Sequence, residues 1–283
     1  MKGKRNAVIT ERTLSMFRNF LVENEKAPAT IKKYVRELER LQIFLHGRGL
    51  CRELLLEYRS GLGQCCSALT VNNRLSAVNA YLAFAGITEC RIRFLKVQRK
   101  AFLEENRELT EQEYRRLLLA SQKRKNKRLY YLMLTVCSTG IRVSELRFIT
   151  VEAVKKGKAE ICMKGKNRTV ILSKELRKKL QNYIRTEQIR EGILFRTRTG
   201  RPLDRSNIWR DMKKLCETAG VDKNKVFPHS LRHLFARSYY SMEKDLAHLA
   251  DILGHSSVET TRIYVAESTE AYEKILRKMK LII

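Results

Sequence analysis

Six side chains between residues 142 and 264 have the types and spacing to break and remake a phosphodiester. His229-Ser230-Leu231-Arg232 precedes Gly254-His255, and Tyr264 follows nine residues after His255. Upstream, Arg142 lies in Thr139-Gly140-Ile141-Arg142-Val143-Ser144-Glu145-Leu146, and Lys164 in Lys164-Gly165-Lys166-Asn167-Arg168. A phosphodiester resists attack because its oxygens are anionic and its leaving alkoxide is poor. Arg142 and Arg232 can each donate forked hydrogen bonds to the nonbridging oxygens and neutralise charge building in the transition state. His255 can add a further donor. Tyr264 suits the covalent nucleophile, with His229 accepting or orienting the phenolic proton. Lys164, on a turn, can protonate the leaving 5′ oxygen as general acid, and Lys166 competes for that role. The product is a 3′-phosphotyrosyl ester with a free 5′ hydroxyl. The ester conserves the bond energy, so rejoining calls for no nucleotide cofactor. The arginines supply the positive charge that Mg²⁺ supplies in many nucleases, so no metal is expected.

Taken singly, each residue has a plainer explanation. Arg142 with Glu145 reads as an ion pair at a helix start. His229 and Arg232 share one helical face, where a buried histidine is ordinary. His255 reads as a turn residue after Gly254, and Tyr264 as core. In this order and these contexts, however, the set resembles the tyrosine recombinase family (phage integrase, Xer-like), over essentially the whole chain. The resemblance places Arg142, Lys164, His229, Arg232, His255 and Tyr264 at the family's active-site positions. It makes Glu145 the accessory acid that orients the first arginine, and it favours Lys164 over Lys166. Leu234 departs from the pattern, standing where relatives often carry threonine. The resemblance also implies a chain that starts almost at the core-binding domain, without an extra arm-binding domain. The expected partner is double-stranded DNA with paired recombination sites, and the expected assembly a homotetramer on DNA docked through the C-terminal tail. An accessory directionality factor is a further possible partner. Integration or excision of a mobile element is the expected role, with Xer-type resolution of chromosome or plasmid dimers as the alternative. A non-catalytic DNA-binding protein and a type IB topoisomerase are the rivals from other classes.

Charge agrees with a polyanionic partner. The formal net charge is +28. Residues 1–100 carry 19 Lys/Arg against 8 Asp/Glu, and residues 101–283 carry 39 against 22, so both halves can face a nucleic acid. No apolar run has the length of a membrane span, and no signal core follows the basic N-terminus, which points to a cytoplasmic, nucleoid-associated protein. The seven cysteines include no CxxC pair, so reduced thiols are expected. Cys137 and Cys162 sit in apolar stretches and read as core filler.

These residues need a scaffold, and the apolar pattern predicts a mainly α, two-domain one. A helix is expected after Pro28, with Ile31, Tyr34, Leu38, Leu41 and Leu45 on one stripe and Lys32, Lys33 and Arg36 outside it. Another runs from Thr70 to Phe84, with Asn73 and Arg74 near its start. Residues 1–90 therefore read as a helical, SAM-like core-binding bundle, 91–103 as a basic linker, and 104–283 as a catalytic domain. Thr110 with Glu113 signals a capping box. Residues 159–163 and 168–172 read as two short antiparallel strands around a glycine-containing turn. Helices are expected over 174–190, 205–219, 229–252 and 257–280, with 268–283 as an oligomerisation tail. Arg205, Asn207 and Arg210 are candidate DNA contacts on the second domain, as Lys32, Lys33, Arg36, Asn73 and Arg74 are on the first.

Overall fold

The computed structural model describes residues 7–97, 108–163, 165–265, 273 and 277–279. The chain divides into two compact units, residues 1–99 and 100–283. The fold is mainly α with one small antiparallel sheet.

Four helices build the first unit: α1 (Glu11–Glu23), α2 (Pro28–Leu45), α3 (Arg52–Cys65) and α4 (Ala68–Phe84). Thr10 and Thr13 cap α1 reciprocally, and Pro28 opens α2 where its missing N–H costs nothing. The apolar stripes meet in a core of Phe17, Leu38, Leu41, Leu75 and Leu82, with Phe17 edge-on to Tyr81 at 5.3 Å. Glu37 and Asn79 are polar side chains buried among them. Glu37 accepts from the Tyr58 hydroxyl at 2.6 Å and pairs with Arg40 at 3.3 Å and Arg74 at 3.7 Å. Residues 92–95, expected to begin the linker, are held on α4. Asn79 exchanges two hydrogen bonds with the backbone of Ile92 (2.9 and 3.0 Å), and Asn72 does the same with Leu95 (2.7 and 2.9 Å).

In the second unit, α5 (Glu111–Lys123), α6 (Lys127–Thr139), α8 (Lys174–Thr186), α9 (Arg205–Ala219) and α10 (Pro228–Glu243) surround one core. The Thr110–Glu113 capping box forms as its residues predict. Short α7 (Val151–Lys156) leads into the hairpin of β1 (Lys158–Met163) and β2 (Lys166–Ile171). Its register pairs Ile161 with Arg168 and Cys162 with Asn167. Side chains alternate across a strand, so Ala159 and Ile161 point inward and Cys162 is exposed. This corrects the reading of Cys162 as core filler; Cys137 is half-buried.

The helix expected over 229–252 is two helices. Lys244 takes a left-handed conformation (φ 54°) and closes α10. Asp245 then caps α11 (Leu246–Leu253), its carboxylate accepting from His248 N at 2.9 Å. The break turns the chain so that Gly254-His255 and α12 (Val258–Val265) fold back against α10.

Candidate active site

Each described residue of the site sits at an element's end or on a core-facing helical face. Arg142 lies in extended backbone after α6 and caps a short 3₁₀ turn, Val143–Phe148. Glu145, three residues on, takes Arg142 N–H on Oε2 (2.8 Å) and Arg142 Nη1 on Oε1 (2.9 Å). Arg142 Nη2 donates to Gly254 O at 3.0 Å. Arg232, on α10, is fully buried. It donates to Gly140 O, to Leu253 O at 2.7 Å, and to His255 Nε2 at 2.9 Å. His229 Nε2 and the Tyr264 hydroxyl are 2.9 Å apart. The His255 ring stacks on Tyr264 with centroids 5.4 Å apart. Arg142, Glu145 and His255 also line an open cleft of about 640 Å³.

Two glycines allow this density. Gly140 and Gly254 both adopt positive φ (63° and 64°), where a side chain is strained. A Cβ at Gly140 would collide with Phe235 and Leu253, and one at Gly254 would collide with the Arg168 stem. The backbone can therefore pass close enough to offer its carbonyls to the arginines.

Electrostatics fix protonation states. Arg232 has no acceptor, so the His255 Nε2 facing it must carry the lone pair. Nδ1 then bears the proton and donates to Thr261 Oγ1 at 2.8 Å. Burial, then Arg232 and Arg142, push the His255 pKa down to about 4. Burial, then His233 and Arg232, push His229 down to about 4 as well, with Arg205 and Arg142 adding to the effect. Both imidazoles are neutral at pH 7. Burial and Arg142 lower Arg232 to about 10, which leaves it charged. Burial pushes Glu145 up, but the Arg142 N–H and the Arg168 charge outweigh it and hold the carboxylate below its usual range.

The structure brings together Arg142, Glu145, His229, Arg232, His255 and Tyr264. Lys164 lies outside the described residues, as does most of the 268–283 tail. In that tail Arg277 pairs with Glu273 (2.6 Å) and Met279 is exposed. Lys32, Lys33, Arg36 and Asn73 are exposed on the first unit, and Arg205 and Arg210 on α9, where Asn207 is half-buried. Arg74 is half-buried, with Nε 3.7 Å from Glu37. Among the described residues no group of three or more His, Cys, Asp or Glu side chains could hold a metal ion. No described helix is long and apolar enough to cross a membrane.

Three participants escaped the sequence reading. Arg168 Nη2 reaches Glu145 Oε2 at 2.6 Å. Its signal was an arginine alternating with Val170 and Leu172 on the inward face of the expected strand. His233, four residues after His229, lies edge-on to Tyr264 at 4.5 Å and 3.5 Å from Glu108. Fully buried Thr261 fixes the His255 tautomer.

Residues 107–271 match the phage integrase family. The tyrosine recombinase XerA of Thermococcus kodakarensis is 30% identical over 290 residues, covering 98% of this chain and 96% of XerA. The structure of XerH recombinase bound to its difH substrate before cleavage aligns with TM-score 0.70 at 20% identity, covering 96% of this chain and 85% of that one. The structure of a lambda integrase tetramer bound to a Holliday junction aligns with TM-score 0.72 at 17% identity, covering 92% and 78%. The chain belongs to the phage integrase family, and within it to the tyrosine-type site-specific DNA recombinases.

Proposed function

We propose that this protein cuts and rejoins paired double-stranded DNA sites through a 3′-phosphotyrosyl intermediate on Tyr264. The observation that carries the reading is the 2.9 Å approach of the Tyr264 hydroxyl to His229 Nε2, beside a buried arginine. Neutral His229 is the base for the phenolic proton. Arg142 and Arg232 hold the nonbridging oxygens, and a phosphate entering beside His255 raises its pKa and makes it a donor. Lys164 is the acid for the 5′ oxygen. Residues 1–90 grip DNA through Lys32, Lys33, Arg36 and Asn73; residues 104–283 carry the chemistry, with Arg205, Asn207 and Arg210 on the duplex. The 268–283 tail docks on the next protomer in a tetramer; the solved lambda integrase that shares the fold is itself a tetramer on a Holliday junction.

The biological role proposed is integration and excision of a mobile element. The end-to-end match to XerA favours a second reading, resolution of chromosome or plasmid dimers. The test uses nicked duplex from the DNA flanking the gene, incubated with protein in EDTA and resolved on a denaturing gel. Protein should be retained on the 3′ end, with the other end free as a 5′ hydroxyl. Retention on the 5′ end, or activity restored only by Mg²⁺, rejects the mechanism. Full recombination of a two-site plasmid, lost on deleting 268–283 while single-site binding survives, tests the tail.

A further inference from the structure

The end of α11 is held by three arginines from three different elements. Arg168 Nη1 on β2 donates to Ile252 O at 2.5 Å. Arg232 Nη2 on α10 donates to Leu253 O at 2.7 Å. Arg142 Nη2 donates to Gly254 O at 3.0 Å. The last carbonyls of a helix have no intrahelical donors and form the negative end of its dipole. They therefore act as a fixed partial anion that spaces the three guanidiniums.

Two of these arginines are the phosphate ligands proposed above. Arg168 is different. Its side chain is only 12% exposed, its stem runs beneath Gly254, and its second nitrogen is committed to Glu145 Oε2 at 2.6 Å. That same Oε2 accepts the Arg142 N–H, while Oε1 holds Arg142 Nη1. Arg168 Nε is buried without a partner, a cost tolerated where the other two nitrogens are in strong bonds.

We propose that Arg168 is a positioning residue for phosphodiester cleavage, tying β2 and Glu145 to the end of α11 and so setting the orientation of Arg142. The proposal rests on Arg142 being a phosphate ligand. Without Arg168, Glu145 keeps only its bonds to Arg142, whose one-third-exposed side chain is then held elsewhere by the single bond to Gly254 O, so the pair is less firmly oriented. Lysine at 168 keeps the charge but has a single head and cannot span Glu145 and Ile252 O as a planar fork does. The same strut anchors β2 of the hairpin.

The test compares full-length wild type, R168K, R168Q and R142A in single-turnover adduct formation. Each is run on a normal scissile phosphate and on a methylphosphonate there, which lacks the charge that Arg142 neutralises. R168K and R168Q should be at least about tenfold slower on the phosphodiester, an effect on transition-state stabilisation. DNA affinity should stay within about twofold, since the phosphate contacts elsewhere are intact. On the methylphosphonate the deficit should shrink to roughly threefold or less, as it should for R142A. Equal slowing on both substrates would mean a general structural defect and overturn the proposal, as would a wild-type rate on the phosphodiester. Wild type that makes no adduct on either substrate would remove the recombinase reading itself, and the proposal with it.

Discussion

Glu145→Gln changes one atom where two arginines share one buried carboxylate, and its cost follows from the geometry. Glu145 is 4% exposed at the side chain and Arg168 12%, so this pair is buried, while Arg142 at 33% is partly hydrated. Glutamine can still accept on its oxygen, but its amide turns two donors toward guanidinium or backbone donors. Removing one partner of a buried ion pair costs about 3–5 kcal/mol, because the other charge stays buried. For a unit of this size about 2–4 °C is lost per kcal/mol, which gives a fall of roughly 6–20 °C in Tm. The pH dependence carries a sign. The folded-state pKa of Glu145 lies below its ordinary value, so its stabilisation is complete above the unfolded pKa of about 4.3 and is lost as pH falls through the folded value. The gap between wild type and Glu145→Gln should be constant from about pH 8 to 5 and close under stronger acid. Calorimetric unfolding of both proteins across that range measures it. A gap under about 1 kcal/mol, the size of an exposed pair, or one that widens on acidification, would refute the buried-pair argument.

Other outcomes test other parts of the account. With His229 and His255 held near pKa 4, two histidine resonances in NMR should titrate well below the usual imidazole range, and stability should fall as pH drops from about 6.5 toward 4, because the unfolded chain binds the extra protons. A free-enzyme cleavage profile with a break near pH 6.5 would contradict those assignments. Tyr58→Phe removes the 2.6 Å bond to buried Glu37 and should destabilise the first unit by about 1.5–3 kcal/mol in denaturant titration. Replacing Lys32, Lys33 and Arg36 together by alanine should reduce the salt slope of DNA binding by about 2.7, or about 0.9 for each phosphate no longer neutralised. An unchanged slope would remove that face from the DNA interface.

What the sequence reveals follows the range of the interactions. Arg142–Glu145, Thr110–Glu113 and the His229–Arg232 face are local, and spacing alone exposes them. The inward face of β1 is legible from alternation, and the same rule applied strictly excludes Cys162 from the core. Arg168 was hidden because its partners are Glu145 and Ile252 O, far along the chain, and because a basic residue near a turn reads as solvated. The break at Lys244 has no glycine or proline to announce it; the only sign is Asp245, an N-cap residue inside a helical pattern. The approach of Arg74 to Glu37 was hidden because nothing local marks Glu37 as buried. The His255 tautomer follows from Thr261 and Arg232 meeting opposite edges of one ring, a tertiary fact with no one-dimensional trace.

The most direct measurement is peptide mapping of the covalent complex. Wild-type protein trapped on nicked duplex, digested with trypsin and nuclease, should yield a nucleotide attached to Tyr264, in the peptide that begins at Ile263. Tyr264→Phe should bind the same DNA with similar affinity and yield no adduct. A nucleotide on any other residue, or an adduct that persists in Tyr264→Phe, would contradict the account.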